Sequence, residues 1–367
     1  MATVEKYETK SGTTLYRVRY RTPDKRSTQK RGFTTKRDAE RFANKVEVAK
    51  MSGEYISPAL GKTTIGELGP PWLERQRGHL KPSGFRTVES AWRIHVARRW
   101  DTKRIVDIRY TDVQAWVSDL SVKLSASTTA TAYSVLARIL DDAVRDRLLA
   151  SNPARGVKLP KRPPRRNVYL TASQLDLLAD ESGRYRSLVL LLGVGGLRWG
   201  EAAALRVGDV NFLKRRIHLH RNAVQVGTAF SVGTLKSNKS RVVVLREFVV
   251  DALADTARGK APEDLLWPSR YGGYLGPPVT VKSWLSGAVS RCQKADKTFP
   301  RVTAHDLRHT AASLAISAGA NPKVVQRMLG HASAAMTLDV YADLFDSDLA
   351  SVAESVAKLW PPRTRSL

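Results

Sequence analysis

Apolar and polar positions alternate strictly over Thr14–Arg21, with Tyr16, Val18 and Tyr20 on one side and Arg17, Arg19 and Arg21 on the other. That period of two predicts a half-buried strand. Ser27–Phe33 reads as a second strand carrying Lys30 and Arg31. The period then changes: Ala39, Phe42, Ala43 and Val46 recur at helical spacing behind Thr35 and Asp38, which fit a capping box. Helical spacing also marks Thr87–Val96, Asp112–Leu120 and Ser127–Leu149, the last with a stripe of Ala132, Val135, Leu136, Ile139, Leu140 and Val144 that belongs in a core. Asn152-Pro153 is expected to end that helix. Beyond it, Tyr185–Leu192, 247–258 and 279–294 read as helices, while 216–220 and Ser240–Leu245 read as strands.

Proline and charge divide these runs. Residues 57–64 read as a linker, and the basic, proline-rich stretch around Val157–Asn167 as a connector with too many charges to be core. The expected organisation is 1–56, a sheet with one helix; 65–156, all helical; a linker at 157–168; 169–346, mixed α and β; and a tail at 347–367 whose Leu349, Val352, Val356 and Leu359 suit a docking helix. The fold class is multidomain and mainly α, with small β-sheets.

Charge changes the picture most. Sixty-one Lys and Arg against 34 Asp and Glu leave a net +27 on 367 residues, which points to a polyanion, nucleic acid by default. Residues 1–60 alone carry 14 basic and 7 acidic side chains. Three arginines on one strand face repel one another unless an anion lies against them. Arg17, Arg19, Arg21, Lys30 and Arg31, with Arg93 in the helical region, are therefore the DNA-contact candidates. The single cysteine, Cys292, rules out an internal disulfide, and no cysteine-rich metal site is possible. No apolar run suits a membrane span, and the N-terminus lacks a signal-peptide core, so a cytoplasmic protein is expected.

The candidate chemistry is scattered. Arg198 and Glu201 follow the paired glycines Gly195 and Gly196; Lys236 lies in a turn between strands, with Lys239 a rival. His305 and Arg308 share a helix face behind the cap Thr303–Asp306, where the helix N-terminus favours an anion. His309 is expected on a different face, as a core or surface residue. Gly330 ends the next helix ahead of His331, and Ser333 caps a short helix carrying Tyr341. Each alone could be structural.

In that order, G-L-R-x-G-E, a turn lysine, H-x-x-R, L-G-H and a tyrosine ten residues after that histidine resemble the tyrosine recombinase (phage integrase) family. The finer likeness is to integrases of actinobacterial phages. The resemblance implies an N-terminal three-stranded sheet plus helix that binds arm-type sites, a SAM-like helical core-binding domain, and an α+β catalytic domain. It implies Tyr341 as nucleophile forming a 3′-phosphotyrosyl link, Arg198 and Arg308 on the phosphate oxygens, and Lys236 as general acid. His305 would serve as base or phosphate ligand, His331 as hydrogen-bond donor and Glu201 as support, with no metal or cofactor. Implied partners are double-stranded DNA with core-type and arm-type attachment sites, a homotetramer on that DNA, a host DNA-bending protein and an excision accessory factor. A chromosome-dimer-resolving recombinase or a catalytically silent DNA-binding regulator are the alternatives.

Overall fold

The alternating segment Thr14–Arg21 is strand β2, the centre of an antiparallel sheet in the order β1-β2-β3, with β1 at Thr3–Glu8 and β3 at Ser27–Phe33. The computed structural model describes residues 2–22, 26–51, 55, 62–163, 167–235, 240–331 and 333–346, in two units, Met1–Pro164 and Arg165–Leu367. Helix α1, Lys36–Met51, starts where the Asp38 backbone N–H donates to Thr35 Oγ1 at 3.2 Å, and it buries Ala39, Ala43 and Val46 against Val18 and Tyr20.

Strand β1, which the patterning did not single out, alters the charge argument. It sets Glu5 opposite Arg17, and the Glu5 carboxylate lies 2.8 Å from Arg17 and 3.4 Å from Arg19. The anion that the arginine row requires is thus supplied in part from within. Lys30 also departs from expectation. A register shift between Tyr16 and Val18 pairs Lys30 with Val18, and its ammonium lies 4.5 Å from the centre of the Phe42 ring on the α1 side of the sheet. Arg21 and Arg31 are exposed.

The helical part begins at α2, Ile65–His79, capped by Thr64 and Glu67 in a reciprocal pair. Gly69 is required there: a Cβ would fall 1.9 Å from the Trp92 indole. Helix α3, Pro82–Ala91, runs through a π turn at Trp92–Val96 into α4, Ala97–Trp100; Arg93 on that turn pairs with Glu89 at 3.4 Å. Helices α5, Tyr110–Lys123, and α6, Ala126–Arg145, complete the bundle, and the α6 stripe from Ala132 to Leu140 is buried as the spacing predicts.

Helix α6 ends at Arg145 rather than Leu149. Arg147 takes a left-handed φ of 57° and turns the chain, and the Asn152 amide reaches back to the Ala137 carbonyl at 2.8 Å. The connector also begins inside the structure: Val157 is buried, and Lys158 exchanges backbone hydrogen bonds with the Gln114 side chain.

In the second unit, α7, Ala172–Glu181, starts at a Thr171–Gln174 capping box. Helix α8, Arg186–Gly195, is the central rod; Leu188 to Leu192 are all buried, against α7 and helices named below. Then come α9, Trp199–Ala203, and five strands: β4, Val210–Asn211; β5, Arg216–Leu219; β6, Asn222–Val226; β7, Ala229–Gly233; and β8, Arg241–Val244. They form a β4-β5-β8 sheet and a β6-β7 hairpin. Helix α10 is Glu247–Ala257, and α11, Trp284–Ala295, starts at its Ser283 cap rather than at 279. Helices α12, Ala304–Ser317, α13, Pro322–Leu329, and α14, Ala334–Asp346, follow. Helices α10 and α12 pack on α8. The expected tail helix from Ser347 lies outside the described residues. No helix among the described residues is long and apolar enough to cross a membrane.

Candidate active site

Helix α8 stops at Gly196, whose left-handed φ of 66° turns the chain and sets Arg198 as the N-cap of α9. Glu201, three residues on, closes the cap: the Arg198 backbone N–H donates to Oε2 at 2.8 Å and its guanidinium Nη1 to Oε1 at 3.0 Å. Glu201 is only 1% exposed. A second arginine, Arg241 at the start of β8, forks onto the same carboxylate at 2.9 and 2.7 Å. Burial alone would push the Glu201 carboxyl up. The hydrogen bonds and charge of Arg241, aided by Arg198, outweigh it and hold the group below the usual carboxylate range.

The third guanidinium, that of Arg308, comes from α12, which begins at the Thr303–Asp306 capping box. It is 3% exposed and donates to the carbonyls of Gly196 and, at 2.7 Å, Leu329. Arg241 Nε reaches the Met328 carbonyl at 3.3 Å, and Arg198 Nη2 reaches that of Gly330 at 3.1 Å. Three successive carbonyls at the end of α13 therefore hold three arginines, one each. The cause is general: the last carbonyls of a helix lack intrahelical donors and carry the negative end of its dipole. Burial, and then the nearby Arg198, push the Arg308 pKa down to about 9, so it remains a cation at neutral pH.

Gly330 makes this seat possible in two ways. Its φ of 66° suits the left-handed C-cap, and a Cβ there would lie 3.0 Å from Arg241 Nη1.

Tyr341 sits beside the arginines, 1% exposed, in a small apolar cluster with Ala312, Ile316, Val325 and Leu329. Its backbone (φ −125°, ψ 17°) breaks α14 at that residue. Burial raises its pKa to about 12 against the pull of Arg308, with Tyr169 adding to the rise. The hydroxyl is 2.8 Å from His309 Nδ1. The His331 ring lies nearly parallel to the tyrosine, 8° between planes, with its Nδ1 2.9 Å from Thr337 Oγ1. Burial, and then Arg308 and Arg198, push the His331 pKa down to about 4, so this imidazole is neutral near pH 7. His305 is exposed in the first turn of α12, its ring edge-on to that of His309 at 4.6 Å.

Arg198, Glu201, Arg308, His331 and Tyr341 thus meet, with His305 one ring further out. Lys236 and its rival Lys239 lie outside the described residues, which resume at Ser240 after buried Leu235. Two members escaped the motif reading. Arg241 opens the strand that follows the turn lysine. His309 is four residues from His305, a spacing that puts both on one helix face, contrary to the separate faces expected. Arg17, Arg19, Arg21, Lys30, Arg31 and Arg93 all belong to the other unit.

The chemistry available is that of a phosphate site. Three guanidinium groups cluster with one carboxylate, which Arg198 and Arg241 share, leaving two positive charges beside a buried phenol. Residues 169–348 match the model of the phage integrase family. The integrase of Mycobacterium phage FRAT1 is 30% identical, over 62% of this chain and 68% of its own length. Among solved structures, the Tn1549 transposon integrase in complex with a circular intermediate DNA superposes with a TM-score of 0.68 at 22% identity, covering 79% of this chain and 99% of that one. The lambda integrase tetramer bound to a Holliday junction gives 0.57 at 15% identity, covering 89% and 95%. These two likenesses establish the fold.

Proposed function

The chain belongs to the phage integrase family of tyrosine recombinases, and from that premise we propose that Tyr341 breaks and rejoins DNA at an element's attachment sites. The Tyr341 hydroxyl attacks a phosphodiester, forms a 3′-phosphotyrosyl bond and releases a 5′-hydroxyl. The 5′-hydroxyl of another strand then reverses the attack. The observation that carries this reading is the seating of three arginines on one helix end beside a buried tyrosine. A phosphodiester carries one negative charge and approaches two in its pentavalent transition state. A site with two surplus positive charges, fixed before substrate arrives, favours the latter.

Arg198 and Arg308 grip the non-bridging oxygens. Arg198 is the more open of the two, with a quarter of its side chain exposed. Arg241 is occupied by Glu201 and acts as a positioning residue. His331 accepts from the Thr337 hydroxyl at Nδ1 and turns its Nε2–H to a phosphate oxygen, a role that suits a ring neutral at pH 7. Lys236 is the candidate acid for the leaving 5′-oxygen, on the strength of its motif position.

Residues 1–56 bind arm-type sites through the sheet face bearing Arg17, Arg19, Arg21 and Arg31, and 65–156 bind the core site. Strand exchange engages four protomers, a reading supported by the lambda integrase tetramer on its Holliday junction. A host DNA-bending protein and an excision factor complete the assembly, as two separated classes of site require.

Tyr341→Phe tests the nucleophile. It should bind a nicked duplex carrying the element's core site with native affinity and form no covalent complex. An adduct with that variant would move the nucleophile elsewhere.

A further inference from the structure

We propose that His309, a residue outside the motif set, takes the proton from Tyr341 as the tyrosine attacks. The inference rests on the recombinase reading of Tyr341 and deepens it. Sequence alone left the proton acceptor open, with His305 as the candidate.

A general base must reach the proton it removes, within about 2.6–3.2 Å between heavy atoms or through one water. His309 Nδ1 is 2.8 Å from the Tyr341 hydroxyl. His305 lies behind it: exposed, one turn earlier on α12, with its ring 4.6 Å from that of His309. The other groups facing Tyr341 are Arg308 on α12, His331 after α13 and Tyr169 ahead of α7. Arg308 is a cation and cannot accept. Tyr169 is a phenol, with its ring centre 6.5 Å from that of Tyr341. His331 lies parallel to the tyrosine and directs Nδ1 to Thr337.

The environment also makes a base necessary. With its pKa raised to about 12, the phenol is ionised in only about one molecule in 10⁵ at pH 7. A burial that protects the hydroxyl from water thus makes it a weak nucleophile unless an acceptor is in contact. His309 in its Nε2–H tautomer presents a lone pair at Nδ1.

The Tyr341 oxygen–phosphorus bond forms while the phosphorus–O5′ bond breaks. The phenolic proton moves to His309 Nδ1, and the 5′-oxygen takes a proton from the general acid, the role given above to Lys236. In rejoining, His309 returns its proton to the tyrosine oxygen. The imidazolium formed in between lies beside the transition state's growing negative charge, where it is favourable.

The test uses the full chain and a nicked suicide duplex bearing the core site. His309→Asn keeps a polar atom near the Nδ1 position but is not basic. Single-turnover cleavage should fall about 10²- to 10⁴-fold, the usual worth of a general base, with DNA affinity little changed. Replacing Tyr341 by a fluorotyrosine, whose hydroxyl is more acidic, should narrow the gap between native and His309→Asn chains. His305→Asn should show a smaller defect that fluorination leaves alone. As a second variant, His309→Ala should regain cleavage in added imidazole.

Cleavage by His309→Asn within about threefold of native would overturn the assignment. So would a gap that fluorination does not narrow, which is the mark of a residue that only positions the tyrosine. Rescue of His309→Asn by a duplex with a 5′-bridging sulfur would also overturn it, since it would move the residue to the leaving group. Failure of the recombinase reading is distinguishable, because it appears as an adduct formed by Tyr341→Phe.

Discussion

Arg241→Ala removes one of the two cations that hold a carboxylate with 1% of its surface exposed. In the native chain Glu201 accepts four hydrogen bonds, two from Arg198 and two from Arg241. After substitution the Arg198 pair remains, one bond to each oxygen, but each buried oxygen loses its second donor and the carboxylate loses its more buried counter-cation. Removing one partner of a buried ion pair costs about 3–5 kcal/mol. At about 2–4 °C per kcal/mol for a folding unit of this size, the melting temperature of the second unit should drop by about 6–20 °C. Calorimetry of the full chain reads this directly.

The sign with pH follows from Glu201. Its carboxyl is held low in the native chain, so that contribution is present above the unfolded carboxylate range and is lost as pH falls through the lower folded value. Without Arg241, burial dominates and the group rises, so protonation relieves the variant. The stability gap between native and Arg241→Ala should therefore shrink from pH 7 towards pH 5. A double variant, Glu201→Gln with Arg241→Met, should cost less than the sum of its singles, because neither partner is then stranded. A loss below about 1 kcal/mol at pH 7, or strict additivity in the double variant, would refute the account of Arg241 as the counter-cation of Glu201.

Two further outcomes concern backbone and domain. Gly330→Ala forces a Cβ into a left-handed turn, at about 1–2 kcal/mol, and against the Arg241 guanidinium. Cleavage should fall more than DNA affinity, and Gly330→Asn, which tolerates that φ better, should recover part of the stability; equal behaviour of the two variants would count against a backbone origin. Deleting residues 1–56 should spare cleavage of core-site duplexes while abolishing integration that depends on arm sites, and unchanged integration in a plasmid assay would sink the arm-binding proposal.

What could be read from the sequence was whatever is local. The caps at Thr35 and Thr303, the α6 stripe and the helix end at Gly330 all depend on residues within a turn or two, and each appears where its spacing places it. Arg198 and Glu201 were legible for the same reason. Arg241 was not, because its meaning lies 40 residues away on Glu201 and 87 away on Met328. His309 was misread because its partner, Tyr341, is 32 residues downstream; its neighbour four residues back was the available clue. The end of α6 at Arg145 escaped because a non-glycine residue, Arg147, adopts the left-handed turn. The side on which Lys30 falls is not legible from one strand's pattern, because it depends on the register shift that turns it to Phe42.

The seat at the end of α13 also bears on when this chain becomes dangerous to DNA. Residues 198, 241 and 308 acquire a common anchor only at the carbonyls of 328–330. A ribosome must therefore release nearly the whole catalytic unit before the guanidinium cluster can assemble. Nascent or proteolysed chains that lack this segment keep their basic surfaces and the Glu201 contacts of Arg198 and Arg241, but not the helix end on which all three cations are seated. Synthesis order thus acts as a safety catch: attraction to DNA is available early, and the power to cut arrives last.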